Sequence, residues 1–478
     1  MKVGLVGQSY QEWSLNFDAQ RTVNLYPVVD QSGKEVAALY GTPGIEEFAQ
    51  VTLVGSAATG ASRGMFTSAN GRCFSVNSNR LYEVFEDGTT SSLALLGTTV
   101  SNSTEITSPV TMDENGQQLV ICDGESLFIY TYGGTVSEIS DPDFPGAATV
   151  CFMDGFFCFN DPDSGQFYIS ALYDGSSVDA LDFATAESAP DDLVRVIKCG
   201  SILFLMGKNT IEPWANQGGG DFPFARIDGG VMDVGCAAAH SVAILDNSLF
   251  WLGSDRRGSG VVYRVQGMTP QRISTHAIEL ILSRVTDLSS IRGYTYQKNG
   301  HLFYVMTGGG LLTTLVYDVS TGMWHERAYL NDSGEWECQI GVTCTFAFGK
   351  HLVGDRLSNK IYEMHEDIYS DNGREIKRQR TFTHINNEGK RARLSELQVD
   401  FEYGVGLTSG QGSDPVANLE VSTDGGHDFG NMLPVSIGKK GDRKARAVWR
   451  RLGYGSQFTF RLTISDPVKV AICGAYLR

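Results

Sequence analysis

A single unit recurs along most of the chain and limits what it can fold into. It is a short apolar strand, a polar or glycine turn, and a second strand that carries an aromatic residue. The unit reads as Gly71–Val84 (GRCFSVNSNRLYEV), Gly116–Thr131 (GQQLVICDGESLFIYT), Asp154–Ser170 and Gly200–Trp214, then as Asp246–Arg264, Asn299–Val319 and Gly349–Met364. Seven hairpins of one kind, mostly 40 to 55 residues apart, are the signature of a radial array of small sheets, a β-propeller. An isolated hairpin buries too little apolar surface to be stable in water, so neighbours must stack. The expected fold is all-β: a β-propeller of six or seven blades, seven if each hairpin makes a blade and six if one belongs to an inserted tip domain.

The flanks read differently. The propeller is expected over residues 56–364, and residues 1–55 form an extended arm with a strand or two, able to pack with the C-terminal region. Residues 365–394 are polar and charged and read as a connector hairpin. Residues 395–478 alternate apolar and polar at Leu397–Tyr403, Ala417–Ser422, Phe458–Ile464 and Val468–Tyr476, the period of strands in a small β-sandwich or platform. If the arm joins that platform, the propeller is an insertion. A short helix is expected over His276–Arg284, capped by Ser274 or Thr275. The stretch Ala180–Leu193 reads as irregular with one helical turn.

Gly at 55 residues against 13 Pro, with 10% aromatics, fits a turn-dense β protein. No apolar run approaches the ~18 residues of a membrane span. The N-terminus (MKVGLVGQSYQEW) lacks the continuous apolar core and cleavage site of a secretion signal, so folding in a cytoplasm is expected. Nine cysteines, an odd number with no CxxC, agree. Cys73, Cys122 and Cys158 lie inside apolar strands and are expected as buried reduced thiols. The net charge of −17 is uneven. Residues 368–478 hold 17 Lys and Arg against 12 Asp and Glu, whereas residues 1–367 hold 21 against 43, a balance of +5 beside −22. An acidic surface repels nucleic-acid phosphate; it is also what keeps an ordinary protein soluble.

Catalytic signatures are weak. The eight histidines form no HxH or HExxH and none pairs with a cysteine at zinc spacing. Gly207-Lys208-Asn209-Thr210 looks like the end of a phosphate loop, but Ile202 stands where that loop needs glycine, and no GxSxG occurs. Asp161 with Asp163, and Asp191 with Asp192, are acid pairs beside Pro and Gly, where Asp is common for turn chemistry. Arg256 and Arg257 sit on a turn and Arg292 stands alone, so no arginine clamp for a carboxylate is apparent. Asn102-Ser103-Thr104 fits a glycosylation sequon, without meaning in a cytoplasm. No cofactor and no metal are expected.

Two local features stand out. Ser422-Thr423-Asp424-Gly425-Gly426-His427-Asp428-Phe429 resembles an Asp box, a hairpin in which the Asp accepts backbone N–H bonds across its turn. Ser422, Asp424, Gly426 and Phe429 are its structural positions. Lys439, Lys440, Arg443, Lys444 and Arg446 precede Arg450 and Arg451: seven cations in 13 residues with one acid, Asp442. This cluster is a solvated loop or a dock for an acidic protein surface or DNA phosphate.

Several short stretches follow one another in a telling order: Gln20–Pro27 with Thr42–Ile45, then Tyr168–Ser170 with Tyr173-Asp174, then Asp182–Ala184 with Glu187 and Pro190-Asp191. Gly207, Thr210, Glu212, Trp214 and Pro223-Phe224 follow, and Val448–Gly453, Phe460-Arg461 and Asp466–Val468 complete the series. In that order they resemble the packaged-DNA stabilisation proteins of short-tailed bacteriophages, also called tail hub or nozzle proteins or tail accessory factors. The resemblance covers nearly the whole length and implies a structural virion protein, not an enzyme. It implies a hexameric ring below the portal and its adaptor that extends the DNA channel and helps retain packaged DNA, which passes without sequence-specific binding. The partners it implies are the adaptor or portal-side ring, a tail needle or plug, and tailspikes or fibres, in a tail assembled in the host bacterial cytoplasm. The alternative is a glycan-binding or sialidase-like propeller acting in receptor recognition. It rests on the Asp box and on Trp214, Trp251 and Trp324 as exposed platforms. An inward-facing arginine trio beside a Tyr/Glu pair would favour it.

Overall fold

The computed structural model describes residues 2–30, 36–53, 59–96, 106–220, 222–255, 258–382, 384–386 and 388–478. Seven antiparallel sheets stand around one axis. Blade one runs Ser62–Thr67, Cys73–Asn77, Arg80–Val84 and Thr90–Leu95 from the axis outward, and blade two Thr111–Glu114, Gln118–Cys122, Leu127–Thr131 and Val136–Glu138. Blades three to six begin at the inner strands Val150–Met153, Leu193–Cys199, Ala243–Leu245 and Ile291–Lys298, and blade seven at Gly341–Ala347. Inner strands of neighbouring blades touch, and Gly341–Ala347 returns to Ser62–Thr67, which closes the circle.

The near-continuous apolar runs of the hairpins follow from burial on both faces. In blade two, Leu119 and Ile121 pack with Phe74 and Val76 of blade one. Val120 and Cys122, one residue out of phase, pack with Phe157 and Phe159 of blade three. The tight turns need positive φ at both central residues. Asp154-Gly155 (φ 51° and 96°) and Asn299-Gly300 (φ 50° and 80°) supply it.

Blade seven takes its outer strand from the other end of the chain. Gly44–Gln50 pairs antiparallel with Lys360–His365, Ile45 opposite Met364. Gly44 is required there: a Cβ would lie 2.5 Å from the carbonyl oxygens of Ile368 and Ser370.

The segment expected as one arm is thus divided. Gly44–Gln50 joins the propeller, while Ala19–Val23, Leu25–Val29 and Ala37–Gly41 join the C-terminal strands in a two-sheet sandwich. One sheet is ordered Leu25–Val29, Ala37–Gly41, Ala471–Leu477, Ala392–Phe401, Ala447–Gly455. The other runs Ala19–Val23, Arg378–Thr381, Gln457–Ile464, Val416–Ser422, Leu433–Ser436. Leu39, Leu397, Trp449 and Ile472 from the first meet Leu419, Phe460 and Leu462 from the second in a common core. The propeller is inserted between the N-terminal and C-terminal strands of this sandwich.

The second sandwich sheet is continuous with blade six. Val23 pairs in parallel with Glu326 on Met323–Leu330, the outer strand of that blade. The stretch expected as a connector, 365–394, therefore contributes a sheet strand, Arg378–Thr381. The stretch reads as polar and charged, yet its Arg380 is fully buried, donating from Nε to the Leu5 carbonyl (2.6 Å) and from Nη1 to Thr22 Oγ1 (2.8 Å).

The helix spans His276–Leu282, with Thr275 Oγ1 accepting from Ile278 N. No helical turn forms over 180–193, where Asp174–Thr185 is a long outer strand of blade three. All nine cysteines are free and six are buried, and burial pushes the Cys122 thiol up to about 12. Among the described residues, no helix is long and apolar enough to cross a membrane.

Candidate functional site

The seven cations of the basic stretch lie on the loop that crosses from Leu433–Ser436 in one sandwich sheet to Ala447–Gly455 in the other, and on the second of those strands, and all are exposed. Lys439 reaches Asp414 at 3.9 Å, Lys440 Nζ donates to Thr408 Oγ1 at 3.1 Å, and Arg450 Nε pairs with Glu396 at 3.2 Å. Arg443, Lys444, Arg446 and Arg451 make no ion pair among the described residues. Arg443, Lys444 and Arg446 flank a cleft of about 720 Å³ with Asp400, Tyr40 and Tyr403.

The Asp-box-like turn sits at the end of Val416–Ser422 in the same sandwich. Asp424 accepts from Asp428 N (3.1 Å), and Gly426 N donates to the buried Ser422 hydroxyl (2.8 Å). The bond from that hydroxyl holds the Asp424 carboxyl below its ordinary range. Phe429 lies under Arg461, whose guanidinium carbon is 3.9 Å from the ring centroid and which also pairs with Glu420 at 2.6 Å.

Asp161 and Asp163 lie on the turn between Phe156–Asn160 and Gln166–Ala171 in blade three, where Asp161 N donates to the Gln166 carbonyl at 3.1 Å, whereas Asp191, Asp192 and the Gly207–Thr210 motif form one turn lock in blade four. Asp191 accepts from Asn209 N (2.6 Å) and Thr210 N (2.8 Å). A Cβ on Gly207 would strike its carboxylate. Glu212 accepts from Ser188 N (2.7 Å) and from the Trp214 indole (3.1 Å), and Asp192 pairs with Lys208 at 2.7 Å. Asp191 and Glu212 thus hold backbone in place at this turn. Trp214, Trp251 and Trp324, expected as exposed platforms, are buried at 8%, 0% and 0% exposure. Their indole N–H groups bond internally, that of Trp324 to the Ile273 carbonyl at 2.8 Å. Arg256, Arg257 and the Asn102 sequon lie outside the described residues. No cluster of three or more metal-ligating side chains occurs among the described residues.

Arg292 does not stand alone. It lines an axial cavity of about 200 Å³ with Arg63 and Arg195, so the inner strands of blades one, four and six each send one arginine there. His240 and Tyr294 line it too, and no carboxylate does among the described residues. Each guanidinium is tethered by carbonyls. Arg63 donates to Ser108 O (2.6 Å) and Ser78 O (3.0 Å), Arg195 to Ala239 O (2.7 Å), and Arg292 to Ser62 O (3.0 Å) and to Thr107 O. Burial lowers all three, Arg63 to about 10. Burial first, and the three arginines next, push His240 down to about 3. Sequence reasoning missed this trio. Its signal is an Arg in an otherwise apolar inner strand, at ASRGMF, LVRVI and SIRGY.

The propeller family of bacteriophage P22 Gp10 matches residues 1–369, and the β-sandwich family of the same protein matches residues 377–478. The chain belongs to the bacteriophage P22 Gp10 family. The two matches meet where the structure passes from blade seven into the second sandwich sheet, and they make the chain a phage tail structural protein of the Gp10 type. No curated protein matches it. Among solved structures, the virginiamycin B lyase of Staphylococcus aureus is 11% identical, covering 64% of this chain and 94% of its own at a TM-score of 0.44. An exo-beta-1,3-galactanase from Phanerochaete chrysosporium is also 11% identical, with 77% and 95% covered and a TM-score of 0.29. Likenesses this distant assign no function to a Gp10-family chain.

Proposed function

We propose that the chain is a ring-forming subunit of the virion tail, a hub or nozzle below the portal and adaptor that extends the DNA channel and helps retain the packaged genome. The observation that carries this reading is the match of both structural units to the P22 Gp10 family, end to end. A hexamer, with an adaptor ring above, a needle or plug below and tailspikes or fibres at the side, is the assembly proposed, built in the host bacterial cytoplasm. The DNA path runs between subunits, since an axial cavity of about 200 Å³ admits no duplex.

Charge supports the division of labour. Residues 1–367 carry a balance of −22, which repels phosphate and lets DNA pass without sticking. The exposed cations at Lys439, Lys440, Arg443, Lys444, Arg446, Arg450 and Arg451 suit an acidic face on a neighbouring ring. Trp13 and Phe17, 86% and 75% exposed beside the sandwich, suit burial in a protein contact. The glycan reading loses its aromatic platforms, and among the described residues no Glu lines the cavity of its arginine trio.

Native mass measurement tests the ring: a particle of six subunits is expected, and a chain that stays monomeric in the presence of its adaptor overturns the proposal. Replacing Lys439, Lys440, Arg443 and Lys444 by Gln should reduce assembled tails at least tenfold in electron micrographs while the chain stays folded. Normal tail assembly by that variant removes the docking role of the loop.

A further inference from the structure

We propose that the axial cavity of the propeller binds a small tetrahedral oxyanion of the size of inorganic phosphate, held by Arg63, Arg195 and Arg292. Three like charges from three blades converge on one cavity of about 200 Å³, lined by no carboxylate among the described residues. Buried cations are ordinarily paired, and here the hydrogen-bond partners are carbonyl oxygens and the Ser108 hydroxyl, which accepts from Arg63 at 3.3 Å. Each guanidinium has five N–H donors, and the tethers occupy only some of them. Arg195 uses one Nη nitrogen on Ala239 O, and its Nε is buried with no partner.

The tethers also fix the forks in place. Arg63 is held by two carbonyls and Arg292 by two, so their rotamer freedom is already lost before any ligand arrives, which favours binding. Arginine is the residue suited to forked recognition of phosphate and carboxylate oxygens. Size separates those two sources. Pockets for drug-sized ligands run about 300–1,000 Å³, so this cavity suits a free inorganic oxyanion better than a sugar acid. Burial pushes all three guanidiniums below their ordinary range while leaving them charged at neutral pH, and it keeps His240 neutral among them; Asp123 acts on Arg63 from outside the lining, so a bound anion would be the charge partner inside the cavity. A bound anion would link blades one, four and six across the axis. It would stabilise the closed circle by mass action, because the unfolded chain has no such site.

The test uses the purified full-length chain in sodium phosphate against sodium chloride at matched ionic strength and pH 7.5. Phosphate should raise Tm saturably, by about 2 °C or more. The rise should vanish in Arg195→Gln and persist, weakened, in Arg195→Lys. No phosphate-specific rise, or an equal rise in Arg195→Gln, overturns the proposal. If Arg195→Gln does not fold, phosphorus NMR on the wild-type chain decides. Line broadening that sulfate reverses supports the site, and an unbroadened line refutes it. Galacturonate serves as the sugar-acid arm: a larger shift with it than with phosphate overturns the assignment in favour of a carboxylate ligand. The result is independent of ring formation, since the cavity lies within one chain.

Discussion

Glu326 shows how a single buried charge holds the seam between propeller and sandwich. Its carboxylate accepts from Ser9 Oγ (2.5 Å) and Thr313 Oγ1 (2.8 Å) and pairs with Arg21 at 2.6 Å. Burial alone would raise it, but Arg21 and the two hydroxyls outweigh burial and hold it below its ordinary range. A carboxylate lowered in the fold stabilises it above its unfolded value, and that contribution is lost as pH falls through the folded value. Glu326→Gln should therefore cost about 3 kcal/mol at pH 7, since breaking a buried pair strands its partner, and the variant's urea midpoint should change less on acidification than the wild type's. Asp113 has the opposite sign. Burial raises it from 3.8 to about 6, although Phe152 N (2.7 Å) and Glu114 N (2.9 Å) donate to it. Stability from this group is present below 3.8 and is lost as pH rises through about 6. Asp113→Asn removes the charge and keeps one of the two acceptor oxygens, so its stability relative to the wild type should be about 1 kcal/mol better at pH 7 than at pH 3.5; urea midpoints at the two pH values check the difference.

At the level of elements, the blades were legible because each strand is buried on two faces, so hairpins such as QLVIC with LFIYT are apolar throughout and recur at blade spacing. What was not legible is pairing over distance. Nothing local to Gly44–Gln50 says that it meets Lys360–His365 across more than 300 residues. The strand Arg378–Thr381 reads as a polar connector because the charge of Arg380 is satisfied by groups at positions 5, 8, 20 and 22, and that of Arg378 by the carbonyls of Ile376 and Asp466. Leu433–Ser436 and Ala447–Gly455 escaped the alternation search because their outward residues are cationic or irregular, as at Arg450 and Arg451. The arginine trio was hidden for a related reason: its members lie 97 to 229 positions apart in sequence. The closing strand can be probed directly. Ile45 is fully buried in it, so Ile45→Ala should cost about 2–5 kcal/mol. Ile244→Ala, at a residue 43% exposed, should stay within about 0.5 kcal/mol. Hydrogen exchange in Ile45→Ala should rise first in blade seven, and uniform exchange across the blades would refute its role as the closing element.

For the whole molecule, Val23 beside Glu326 makes one hydrogen-bonded sheet out of blade six and half the sandwich. Calorimetry of the isolated chain should then show a single cooperative transition, and two resolved transitions would contradict the coupling. Assembly should also be more sensitive to salt than folding is. The exposed cations of the basic loop are screened at ordinary ionic strength, whereas the buried pairs at the seam are screened much less.

That shared sheet ties the two bodies by backbone hydrogen bonds. A neighbour gripping the sandwich would therefore pull on the rosette through that seam.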